Sequence, residues 1–95
     1  MPAVSRKGDT CTGHGNYPPR ASDSGSENVF VNGIAALRVG DHWETHRSGS
    51  HSHDSTQAGG STTVFCNGKG LVRIGDDIAC GSAVAAGSQN VFAGG

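Results

Sequence analysis

A chain of 95 residues with a formal charge of −1 has room for one domain and carries no basic field, which argues against nucleic acid as a partner. Only 34% of the residues are hydrophobic and 5% aromatic, and sixteen are glycine. A domain this small buries only about 60–65% of its unfolded surface, so the core is thin and a staple is expected. No run approaches the roughly 20 apolar residues of a membrane span. The opening MPAVSRKGDTCTGHG lacks the apolar stretch of a signal peptide. The chain therefore reads as made in the cytoplasm, where thiols stay reduced. Three cysteines beside five histidines then point to metal rather than to a disulfide.

In chain order, Arg6-Lys7-Gly8-Asp9 comes first and reads as a turn, followed by Cys11 and His14. The polar stretch from His14 to Ser24 reads as a loop. Within Gly25-Ser26-Glu27-Asn28-Val29-Phe30-Val31-Asn32-Gly33, the β-prone run Val29-Phe30-Val31 meets Asn-Gly, the strongest short hairpin signal. Ile34 to Val39 returns as a second strand and ends on Arg38-Val39-Gly40-Asp41, with His42 and His46 beyond it. Ser48 to Ser61 is Gly/Ser-rich, carries His51 and His53, and reads as a second loop. The hairpin signal recurs in Gly60-Ser61-Thr62-Thr63-Val64-Phe65-Cys66-Asn67-Gly68, returning along Lys69 to Ile74 into Arg73-Ile74-Gly75-Asp76, with Cys80 beyond. Ala83 to Ala86 is too short for a helix. The chain closes on Gly87-Ser88-Gln89-Asn90-Val91-Phe92-Ala93-Gly94-Gly95.

Two motifs, each present three times in matching order, make an internal repeat. Two copies are complete, and the third is split: its second half opens the chain and its first half closes it. Each unit reads as a β-hairpin of about five residues per strand, which is barely stable alone. The expected fold is a single all-β domain over residues 1–95, with three hairpins around a pseudo-threefold axis and the C-terminal strand beside the N-terminal one.

The same end of each hairpin delivers a Cys or His: Cys11 and His14, His42 and His46, and Cys80, with His51 and His53 added from the second loop. Four His and Cys donors with no open position make a structural zinc site, and binding weakens in acid because the donors must be deprotonated. Spacing alone does not choose among these residues, and a His in a Ser/Gly loop is often simply solvated. Spacing favours His14 and Cys80, four or five residues past their Asp; His46 shares the offset of His14. Cys66 aligns with Val31 and Ala93 and reads as a small core residue. A Cys/His nucleophile and base would lack a third orienting group, and no GxxxxGK[ST] phosphate loop occurs.

The ordered set MPAVSRKGD, TGHG, GSENVFVNGIAALRVGD, GSTTVFCNGKGLVRIGDDIAC and GSQNVFAGG resembles the PAAR-repeat proteins. These form the tip of the VgrG spike in type VI secretion systems and of related phage tail spikes. The naming Pro-Ala-Ala-Arg stands here as Ile34-Ala35-Ala36-Leu37-Arg38 and Lys69-Gly70-Leu71-Val72-Arg73, with the Arg and the following Gly-Asp in place. The resemblance implies a small cone with a threefold base and one structural zinc near the vertex. Carried over by position, its ligands are His14, His42, His53 and Cys80. It further implies a non-enzymatic part that caps a trimeric VgrG-like spike, sharpens it against a target membrane and is expelled into the target cell or medium. No fused effector domain is expected, which leaves noncovalent loading of cargo. The competing readings are a zinc-carrying module and, further off, a small metalloenzyme.

Overall fold

The computed structural model describes residues 1–15 and 17–95, with His51 and His53 described by their backbone alone. The strands are β1 (Phe30–Val31), β2 (Ile34–Ala35), β3 (His42–Ser48), β4 (His51–Thr56), β5 (Phe65–Cys66) and β6 (Lys69–Gly70), with no helix among the described residues. They build two stacked tiers in a body of 38 × 24 × 22 Å.

The lower tier is the repeat. Asn32 and Asn67 take φ of 55° and 56°, followed by Gly33 and Gly68 at 77°. This succession of positive φ is why Asn-Gly closes both two-residue turns. Phe30 pairs with Ala35, and Phe65 with Gly70. Phe92 pairs with Ala3 in the same antiparallel sense, so the split copy closes across the two termini. Each return strand then bridges to its neighbour in a cycle: Val4 to Arg73, Leu71 to Arg38, and Ala36 to Arg6. The regular hairpin pairing is thus two residues long on each strand rather than five. The remaining length of each return strand bonds to the next repeat instead. Val4, Val31, Ala36, Cys66 and Ala93 fill this tier's core. Cys66 is a core residue, as its alignment with Val31 and Ala93 indicates.

Three identical clamps separate the tiers. In Arg6–Asp9, Arg38–Asp41 and Arg73–Asp76, Nε and Nη2 of the arginine donate to the two oxygens of the aspartate at 2.9–3.2 Å. The arginine's own backbone N–H adds a third bond to the same carboxylate. A planar fork meeting a planar carboxylate fixes the turn in orientation as well as in distance.

Above the clamps each repeat folds back once more. Thr10 pairs with Ala21, Ser22 with Trp43, β3 with β4, Gln57 with Ile78, Asp77 with Ala83, and Val84 with Cys11. The circuit returns to its start, so three upper hairpins form a closed ring, each bridged to the next. Inside lie Cys11, Leu37, Trp43, Val72, Ile78 and Val84. Trp43 donates its indole N–H to Gln57 Oε1 at 2.9 Å, and Gln57 donates in turn to the carbonyls of Gly59 and Asp77. The one polar group of the Trp43 side chain is therefore satisfied.

The upper tier departs from the loop reading of Ser48 to Ser61. His42–Ser48 and His51–Thr56 form the longest hairpin of the molecule. HWETHRS and HSHDST hide it because no apolar alternation marks the strands; their buried face is carried by Trp43 and His46.

Candidate metal centre

Each upper hairpin contributes one donor: His14 from the first, His46 from the second, Cys80 from the third. Their ligand atoms all lie within 4.8 Å of one another, and this is the one such group of three or more among the described residues. Two imidazoles and a thiol at this separation suit a divalent metal of borderline softness.

Local geometry places each donor. His14 sits in a turn closed by reciprocal backbone bonds with Tyr17, at 3.1 and 2.8 Å. Gly13 precedes it at φ +71°, where a Cβ would come within 2.6 Å of the Tyr17 carbonyl, so only glycine fits. The His14 and His46 rings meet edge-on, 5.0 Å between centroids at 67°, and Tyr17 lies about as close to both.

His46 reaches the site through a bulge. Trp43 pairs with Ser55 but His46 with His53, so β3 carries one residue more than β4 across this interval. In a regular strand residues three apart point to opposite faces. The extra residue brings Trp43 and His46 onto the same inner face, both buried, and leaves Glu44 and Thr45 exposed. His46 Nδ1 donates to the Pro18 carbonyl at 2.9 Å. With Nδ1 carrying the proton, Nε2 is the nitrogen left to face a metal, the arrangement usual for a ligating histidine.

Cys80 stands on a tight turn in which Gly81 N–H donates to the Ile78 carbonyl and Ile78 N–H to that of Ser82. Burial pushes its thiol up, but hydrogen bonds from Ser82 and Arg20 and the charge of Arg20 outweigh it and hold the pKa at about 5. Cys80 is thus a thiolate at neutral pH, the form that binds metal.

Of the residues implied by resemblance, His14 and Cys80 come together with His46. His42 stands elsewhere. Its Nδ1 meets Asp23 at 2.7 Å and its Nε2 meets Asp54 at 2.9 Å, at a largely open surface. Hydrogen bonds to Asp54 and then Asp23 raise its pKa, against a smaller lowering by burial. With both nitrogens directed at carboxylates, it is a strut between β3, β4 and the segment between the first clamp and β1. His53 pairs directly with His46 in register; its side chain, like that of His51, lies outside the described residues. Cys11 is buried in the upper core and bonded by Arg20. Arg20 and Tyr17 were not legible as site residues, since nothing in NYPPR sets them apart from an ordinary loop.

The repeat, the clamps and the His14–His46–Cys80 cluster together point to one family. The PAAR motif model matches residues 12–86. The chain belongs to the PAAR-motif family. No curated protein matches it. The matched span takes in both complete copies of the PAAR repeat and all three donors, while the two halves of the split copy flank it. PAAR proteins are structural parts, which accords with a centre built from packed, hydrogen-bonded donors.

Proposed function

We propose that this PAAR protein is the tip of a type VI secretion spike, seated on a trimeric VgrG-like protein through its lower tier. One observation carries the reading: a single chain presents Phe30, Phe65 and Phe92, each 50–61% exposed, from symmetry-equivalent positions of three repeats. Val29, Val64 and Ile34 are further exposed apolar residues of the same hairpins. Exposed apolar residues gathered on one end mark an interface, and a pseudo-threefold end is complementary to a threefold partner. The opposite end carries the metal centre. His14, His46 and Cys80 would hold one zinc ion, with His53 the fourth ligand on the strength of the family resemblance. When bound, the ion cross-links three hairpins that share only a small core.

In this reading the protein does mechanical work: it closes the open end of the spike, stiffens the point that meets the target membrane, and leaves with the spike. Its sides remain for noncovalent cargo. A zinc carrier would need neither the apolar threefold end nor the clamps.

The test is co-purification of the chain with a trimeric VgrG spike from the same genome. One chain per three spike subunits is expected, and Phe30→Asp with Phe65→Asp should abolish it. Failure of the unsubstituted chain to bind, or binding that survives both substitutions, would overturn the proposal.

A further inference from the structure

Arg20 is the one buried cation in the upper tier among the described residues, at 7% exposure. All three of its guanidinium nitrogens are engaged. Nε donates to the Glu44 carbonyl of β3 at 2.7 Å. Nη1 donates to Cys11 Sγ at 3.2 Å and to Ser82 Oγ at 3.4 Å. Nη2 donates to Cys80 Sγ at 3.4 Å. The guanidinium carbon lies 5.4 Å from the centre of the Trp43 ring. One side chain therefore touches all three upper hairpins: its own, β3, and the turn that bears Cys80.

From this we infer that Arg20 is the positioning residue of the metal centre, a fork that holds the Cys80 sulfur in place between the hairpins that supply the histidines. The inference rests on the reading of His14, His46 and Cys80 as metal ligands. Three facts support it. Cys80 sits on a four-residue turn with no strand partner at its own position. Cys80 is only partly buried, and its sulfur is met by Arg20 Nη2 and by the Ser82 hydroxyl, which is itself a partner of Arg20 Nη1. A hydrogen bond to a ligating sulfur fixes its direction and tempers its donor strength, as partners of ligands do in metal sites. Arginine is required because its donors diverge in a rigid plane; a lysine offers one point of charge and cannot span two sulfurs, a hydroxyl and a carbonyl.

The experiment uses cobalt(II) in place of zinc, on the full chain. Arg20→Lys keeps the charge and the aliphatic stem. It should shift the sulfur-to-cobalt charge-transfer band and weaken cobalt affinity by about 10–100-fold, the usual effect of removing a partner of a metal ligand. Arg20→Gln is the second variant, with the same readings, should the lysine form fold poorly. Cys66→Ala, in the lower core, should lower stability yet leave band and affinity unchanged. A wild-type spectrum and affinity in the arginine variants would overturn the inference, as would an equal change in Cys66→Ala. If the unsubstituted chain binds no cobalt, the ligand assignment itself fails and the inference with it.

Discussion

The two tiers share a topology and differ in what enforces it. In the lower tier each repeat does the same thing with nearly the same residues: Phe pairs with a small residue across the turn, the return strand bridges to its neighbour, and an arginine clamps an aspartate. In the upper tier the three hairpins span 10–22, 42–57 and 77–84, unlike in length and sequence, and they carry two histidines and a cysteine at non-equivalent positions. The lower tier can repeat because hairpin turns and clamps are local rules that any copy can obey. The upper tier does not repeat: its hairpins differ in length, and each brings His14, His46 or Cys80 to the cluster from its own turn or bulge.

This contrast predicts an order of effects. Removing the metal should do the most, and mainly above the clamps. Where free zinc is a thousandfold above its Kd, loss of binding removes about 4 kcal/mol. His14→Ala, His46→Ala and Cys80→Ala should each lower the melting temperature as chelation does, and added chelator should cost the variants little more. Hydrogen exchange should then show the upper hairpins opening while amides of the lower tier stay protected. Loss of protection in both tiers together would erase the distinction.

Breaking a clamp comes next. Asp9→Ala, Asp41→Ala and Asp76→Ala each strand a mostly buried guanidinium, at about 1.5–3 kcal/mol for charged hydrogen bonds. Denaturant midpoints should fall by similar amounts at all three positions; strongly unequal losses would show that the threefold likeness is only in the backbone. Cys66→Ala should cost about 1 kcal/mol, a packing loss alone.

The remaining effects are those of pH. In metal-free protein the Cys80 thiol lies below its ordinary value of 9.0, at about 5. The unfolded chain therefore binds the extra proton between these values. The contribution is complete above 9.0 and is lost as pH falls through about 5. Alkylation of Cys80 by iodoacetamide should accordingly titrate near 5. His42 runs the other way. Its pKa is raised above 6.5, so the strut to Asp54 and Asp23 stabilises fully below 6.5 and fades as pH rises through the higher folded value. Being exposed, it is worth less than about 1 kcal/mol. His42→Gln should remove this slope from a melting-temperature profile while leaving zinc content unchanged; loss of zinc would return His42 to the ligand set.

By itself the sequence determined the repeat, the split copy, the Asn-Gly turns, the core role of Cys66, and the places of His14 and Cys80 after their clamps. Each of these is written in neighbouring residues, because turns, β-prone runs and capping aspartates act over a few positions. Only the tertiary structure decided the rest. The hairpin at His42–Thr56 has no apolar alternation to announce it, and its bulge turns His46 inward with Trp43 while His42 is left to Asp23 and Asp54. One extra residue in a strand inverts the face of everything after it, and no local pattern in HWETH records it. Arg20 was hidden for a related reason: its partners Cys11, Glu44, Cys80 and Ser82 lie 9 to 62 residues away. They meet only when the upper ring closes.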